Sequence, residues 1–153
     1  MVVFIRVPSW LGRKAAHPEN VMAQLDIGYA VSLLMRRGVE ARMIDVEAEE
    51  LTLEQVHDRL LEWQPEVLVL HAITPAVPHA LTIARRAREN LSGLRQVIAV
   101  GQHASVLPAS LLGDDSPVDV CIRGEYEQKL VQVVCDGASD PTGLGRRGAD
   151  GPE

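Results

Sequence analysis

Val97-Ile-Ala-Val-Gly101-Gln-His103-Ala-Ser105 is a short apolar run that stops at a glycine and turns polar. Val118-Asp-Val-Cys-Ile-Arg-Gly124-Glu125-Tyr126-Glu127 repeats the device further along the chain. An apolar run of this length bounded by turn signals suits a strand covered on both faces, as in a parallel sheet. A glycine at the strand's carboxyl end lets backbone approach a ligand more closely than a residue with a Cβ allows. In open parallel sheets, ligands bind at those ends, near the point where strand order reverses.

The flanking sequence extends the pattern. Val2–Val7 reads as a first strand, stopped by Pro8, and residues 8–19 form a long loop of polar and small residues. Loops of that length on compact domains are usually functional or disordered, so it is a candidate ligand wall. Asn20 caps a helix running to about Arg37, with Gly38 as its left-handed exit. Met22, Leu25, Tyr29, Leu33 and Leu34 recur near helical spacing and are the expected core face. Glu40–Val46 is a second strand, Thr52 to Trp63 a helix closed by Pro65, and Val67–Leu70 a third strand. A helix over Val77–Glu89, a strand over Gln96–Val100, a short helix over Pro108–Leu112, a strand over Val118–Ile122 and a helix from near Glu125 to Val134 complete the series. Strand and helix alternate five times. The expected fold is α/β: a five-stranded parallel, doubly wound, flavodoxin-like or Rossmann-like sheet, order 2-1-3-4-5, with helices on both faces.

The domain is expected over residues 1–135. Beyond it, residues 136–153 are rich in glycine and proline and almost devoid of large apolar side chains. Such a segment buries too little surface to offset its ordering entropy and reads as a flexible tail or linker. The 153-residue chain is long enough for one buried core, and aromatics make up only 3% of it, so that core is aliphatic. A net charge of −6 argues against a nucleic-acid partner, and Arg85, Arg86 and Arg88 beside Glu89 read as a solvated helix face. No apolar stretch approaches the roughly 20 residues that span a bilayer, so no membrane partner is expected. No signal peptide is visible, and Cys121 and Cys135 lack any C-x-x-C spacing. Free thiols in the cytoplasm are the expectation.

Several chemistries are missing. Residues 8–19 contain only Gly12, so neither G-x-G-x-x-G nor G-x-x-x-x-G-K-S/T follows the first strand. That strand ends in Val7-Pro8 rather than in clustered carboxylates, and no G-x-S-x-G elbow occurs. His71 and His103 close the third and fourth strands and are metal or acid–base candidates, with a backbone-bonded structural histidine the competing reading for each. His17, His57 and His79 read as surface residues. Trp10 is either a stacking platform or a hydrophobic lid. Glu127 suits the positive end of the last helix, and Glu125, just after Gly124, is better placed to meet a ligand.

Ile27-Gly28-Tyr-Ala30-Val-Ser-Leu33-Leu-Met-Arg-Arg-Gly38 is similar to an L-G-x-A-x-x-L-x-x-x-G helix. Asp45 ends the second strand, and Gln64-Pro65-Glu66-Val67-Leu68 resembles an x-P-D-V-V strand entry. Gly101-Gln-His103-Ala104-Ser105 resembles G-G-x-H-A-S/T, and Asp119 to Glu127 resembles D-x-V-V-x-G-E-G-E. In this order and spacing the segments resemble the N-terminal cobalamin-binding domain of cobalamin-dependent radical SAM enzymes. Asp140 to Gly151 is similar to the I-P-G-L-A-x-R-x-x-D-G passage leading to the catalytic core of that family. No C-x-x-x-C-x-x-C cluster lies in the 153 residues, so the chain reads as an excised domain or a free-standing relic of one.

The resemblance implies a base-off cobalamin (methylcobalamin in working form) over the carboxyl ends of the strands, its nucleotide tail threading into the domain. Pro8-Ser-Trp-Leu-Gly-Arg-Lys lacks the D-x-H-x-x-G histidine of the mutases, which implies no cobalt ligand from that loop and no metal-ligating residue in this chain. Ser9, Trp10 and Leu11 would face the cobalt. Thr74, Pro75, Gly101, His103, Ala104 and Ser105 would border the tail, and Gly124, Glu125 and Tyr126 the far wall. The implied role is carrier module of a methyltransferase-type enzyme, without a catalytic residue of its own. The partner would be a radical SAM catalytic domain, in cis or trans, holding the 4Fe–4S cluster and S-adenosylmethionine. Gln102 and Tyr126 replace glycines of the pattern and would narrow the groove. That departure favours a second reading, a scaffold that keeps the fold without the ligand. A flavin- or nucleotide-using enzyme is the third.

Overall fold

The computed structural model describes residues 1–8, 24–137 and 144–146. Five strands run parallel, β1 (Val2–Val7), β2 (Ala41–Asp45), β3 (Val67–Ala72), β4 (Gln96–Val100) and β5 (Val120–Ile122), in the order β2-β1-β3-β4-β5. The intervening helices are α1 (Leu25–Arg36), α2 (Leu53–Trp63), α3 (Val77–Asn90), α4 (Gln102–Val106) and α5 (Glu127–Cys135). This is the expected doubly wound sheet.

Alternation along the strands builds two cores. Val3, Ile5, Leu68, Leu70 and Ala99 pack with α2 and α3, while Val2, Phe4, Val69, Ile98 and Ile122 pack with α1 and α5. Both faces of β1, β3 and β4 are therefore dry, which explains their unbroken apolar composition. Helix α2 begins as read: Thr52 Oγ1 accepts from the Gln55 N–H at 3.2 Å, and Gln55 Oε1 accepts from the Thr52 N–H at 2.8 Å. This reciprocal box satisfies two donors that the helix itself leaves open.

Four expectations are corrected. The buried face of α1 is Ile27, Ala30 and Leu34, whereas Leu25 and Tyr29 are 81% and 55% exposed; Met22 lies outside the described residues. A five-residue helix, α4, follows Gly101, and the segment expected to be helical over Pro108–Leu112 is a single 3-10 turn, Pro108–Ser110. Arg88 is no solvated side chain: it donates to the carbonyls of Pro117 and Leu94 and pairs with Asp119. Within the tail, Leu144–Arg146 forms β6, antiparallel to β5. Backbone pairing asks for no apolar side chain, and at Gly145 an added Cβ would sit 2.8 Å from Leu112 Cδ1.

Candidate functional site

The chain leaves β1 for α1 on one face of the sheet and β3 for α3 on the other. The strand order reverses between these neighbours, the position at which open α/β sheets bind ligands. The residues after β3, β4 and β5 form a ledge there. Gly101 has φ +95° and Gly124 φ +69°, the left-handed region that favours glycine. A Cβ on Gly101 would lie 3.1 Å from His71 Nε2 and 3.4 Å from the Ala72 carbonyl oxygen. Bare backbone is what the space there admits.

Ser105 braces the ledge. Its hydroxyl donates to the Gly101 carbonyl at 2.8 Å and accepts from the Gly124 N–H at 2.9 Å, joining the turn after β4 to the turn after β5. Arg123 Nε reinforces the link by donating to the Ser105 carbonyl at 3.2 Å. With its single proton committed to Gly101, Ser105 positions backbone and has no donor left for a ligand.

Thr74 and Pro75 lie exposed on the rim and His103 beneath it, 5% exposed. His103 Nδ1 is 3.1 Å from Thr74 Oγ1, and Nε2 is 2.8 Å from Ser110 Oγ. The Ser110 hydroxyl donates to the Leu107 carbonyl at 2.7 Å, so it accepts from a protonated Nε2. Nδ1 then accepts the Thr74 proton. His103 ties the loops after β3 and β4 together, and both its nitrogens are spent. With Ala72, Ala80, Ala99, Ala104 and Leu111 it lines an enclosed, mostly apolar cavity of about 10 Å³, room for one water at most.

On the opposite face lies a second cluster. Asp26 Oδ2 of α1 lies 3.1 Å from His71 Nε2 and accepts from the Tyr126 hydroxyl at 3.1 Å. The Tyr126 ring is 3% exposed and packs beside the His71 ring, with centroids 6.1 Å apart. Burial, then the Asp26 charge, pushes the Tyr126 hydroxyl well above its ordinary pKa, so it stays a donor. Burial lowers the His71 pKa below 6.5; Asp26 opposes the shift and Arg6 adds to it.

The lowered value has a stability consequence. The folded state binds the proton more weakly than the unfolded chain, so this contribution is complete above pH 6.5. It is lost as pH falls from there toward the folded value. Thermal unfolding followed from pH 7 to pH 5 is expected to show a steeper fall in Tm for the wild type than for His71→Gln. Parallel curves would remove His71 from the account.

The sites named from sequence thus separate. Thr74, Pro75, Gly101, Ser105, Gly124 and Glu125 share the ledge. His103 and Ala104 lie under it, and Tyr126 fills the α1 side. Ser9, Trp10, Leu11 and His17 lie outside the described residues. Gln102 is exposed at the start of α4 and does not enter the cavity. Asp26 escaped the sequence reading, because its partners lie far away in the chain. Among the described residues no group of three or more histidines, cysteines or acids is placed to hold a metal, and no helix is long and apolar enough to cross a membrane.

A doubly wound parallel sheet with glycine turns at the carboxyl ends of β4 and β5 is a Rossmann-like architecture. The chain belongs to the B12-binding domain family, whose model matches residues 15–134. Its curated relatives include an anaerobic magnesium-protoporphyrin IX monomethyl ester cyclase of Cereibacter sphaeroides, 28% identical over 71% of this chain and 18% of that protein. An uncharacterized methyltransferase of Pyrococcus horikoshii is 26% identical over 72% of this chain and 24% of its own length. The chain therefore spans under a quarter of either relative. Among solved structures, the cobalamin-dependent S-adenosylmethionine radical enzyme OxsB with aqua-cobalamin and S-adenosylmethionine bound matches with TM-score 0.69 at 15% identity. The match covers 99% of this chain and 22% of that one. The radical S-adenosylmethionine methyltransferase TsrM of Kitasatospora setae with cobalamin and a 4Fe–4S cluster bound matches with TM-score 0.68 at 16% identity, over 95% of this chain and 28% of its own. At such identities the likeness is one of fold.

Proposed function

We propose that this chain binds cobalamin over the carboxyl ends of β3, β4 and β5, base-off and without a histidine from the first loop. In this reading it is the carrier module of a methyltransferase-type radical SAM enzyme. The observation that carries the proposal is the ledge itself: in a B12-binding domain, Gly101 and Gly124 present backbone at positive φ where β4 and β5 end. The residues fit the ring. Thr74 offers a hydroxyl oxygen whose proton is taken by His103, so it accepts from a carboxamide N–H; the exposed Glu125 accepts likewise. Ser105 and Arg123 hold the two glycine turns at fixed separation.

When bound, cobalamin supplies a cobalt centre that carries a methyl group. The chain's own work is to bind, orient and shield it, and the transfer itself falls to a radical SAM domain in cis or trans, which would hold the 4Fe–4S cluster and S-adenosylmethionine. The expected compartment is the cytoplasm.

Purified protein mixed with hydroxocobalamin and desalted is expected to keep about one equivalent of corrinoid. After reduction to cob(II)alamin, its electron paramagnetic resonance spectrum should lack nitrogen superhyperfine splitting from an axial base. Colourless protein overturns the proposal, and a resolved nitrogen splitting overturns the base-off, histidine-free part of it. The scaffold reading gains from Tyr126, buried on the α1 side of the sheet, and it is the one that colourless protein would favour.

A further inference from the structure

Among the described residues the ledge is exposed at Thr74, Pro75, Gly124 and Glu125, yet the space beneath it is shut on both sides of the sheet. On the α3 side the cavity of about 10 Å³ has aliphatic walls and a histidine bonded at both nitrogens. Opening it means parting packed secondary structure. On the α1 side Tyr126 closes the seam together with the buried Ile27, Ala30 and Leu130, and it alone among them carries a polar tip. Tyr126 fills the seam between α1 and α5, and its hydroxyl reaches Asp26, whose side chain is 35% exposed. Water can therefore take over that acceptor if the ring turns away. The Tyr126 backbone stays fixed meanwhile, because its carbonyl accepts from the Leu130 N–H at 2.7 Å as α5 begins. Gly124, two residues earlier, has no neighbour within 3.9 Å of a would-be Cβ, so space is free on that flank.

We infer that Tyr126 is the specificity-determining residue of this site, a plug that a ligand with a long arm must displace and a ligand without one need not. This rests on the reading of the chain as a corrinoid binder. The ring rests on the ledge in either case, and only the nucleotide arm of cobalamin needs the seam that Tyr126 occupies. Cobinamide, the same macrocycle lacking that nucleotide, meets the ledge alone. The arm-bearing ligand waits for the fraction of molecules with Tyr126 turned out, so its observed association is slowed by that fraction.

Stopped-flow mixing of the full chain with aquacobalamin and with diaquacobinamide tests this directly. Cobinamide is expected to associate about tenfold or more faster than cobalamin, which must both release its base and wait for a minor open state of a few per cent. In Tyr126→Ala the ratio should fall severalfold, through a gain for cobalamin alone, with the remainder due to release of cobalamin's own base. Asp26→Ala, which frees the hydroxyl without hollowing the seam, should move the ratio the same way by less and guards against a folding defect in the first variant. Equal rates in the wild type, or a ratio unchanged in both variants, overturn the inference while leaving cobalamin binding intact. Failure of both corrinoids to bind overturns it together with the proposed function.

Discussion

Gly101→Val is expected to unfold about 10 °C below the wild type and to retain less than a tenth of the corrinoid. Gly101 holds φ +95°, and a β-branched residue there is a backbone outlier costing about 1–3 kcal/mol. Its Cβ would also meet His71 Nε2 at 3.1 Å, His71 Cδ2 at 3.2 Å and the Ala72 carbonyl at 3.4 Å. The His71 ring has little freedom to retreat, because Asp26 and Tyr126 hold its other side. Overpacking of this kind adds about 1–3 kcal/mol, and each kcal/mol moves Tm by roughly 2–6 °C in a domain of this size. Relief of that crowding would shift the turn after β4, on which the ring is proposed to rest. Differential scanning calorimetry and desalting with hydroxocobalamin read the two effects separately. Gly101→Ala divides them, since it keeps the strain but adds only the Cβ. A stable Gly101→Val that still binds would remove the ledge from the mechanism.

The fold was legible because its strands are buried on both faces. Gln96–Val100 could be read to the residue, since continuous apolar sequence ending at glycine leaves little choice of boundary. Helix α1 was legible as a helix but not in its facing. Leu25 and Tyr29 recur at helical spacing as convincingly as Ile27, Ala30 and Leu34, and alanine is a weak marker of burial. Helix α4, at five residues, is too short to show a period, and β6 is specified by backbone pairing in glycine-rich sequence. The ledge could be placed from its glycines. What Tyr126 and His103 do could not be, since each is defined by contacts: Tyr126 with Asp26, 100 residues away, and His103 with Thr74, 29 away. His103 bonds two side chains, Thr74 and Ser110, where its competing reading supposed a neighbouring backbone group.

Asp119 carries the second large effect. Strand β5 is short, and its ladder with β4 begins only at Val120, opposite Ile98. One residue earlier, the Asp119 side chain stands in for a strand carbonyl. Its Oδ2 accepts from the Val97 N–H at 2.8 Å, while the Asp119 N–H donates to the Val97 carbonyl at 2.9 Å. The same carboxylate pairs with Arg88 of α3, fastening helix, strand and the loop before β5 together. Asp119→Ala leaves the N–H of fully buried Val97 without this acceptor, a loss of about 1–3 kcal/mol. The Arg88 pair, with side chains 29% and 23% exposed, adds only about 0–1 kcal/mol after screening. An overall loss of about 1–4 kcal/mol is expected in urea unfolding. Asp119→Asn keeps a carbonyl oxygen for Val97 and gives up only the charge, so it should recover more than half of that loss. If Asn and Ala are equally damaging, the ion pair rather than the backbone bond anchors β5. Because β5 delivers Arg123 and Gly124 to the ledge, Asp119→Ala should also loosen the brace to Ser105 and weaken corrinoid retention, by less than Gly101→Val does.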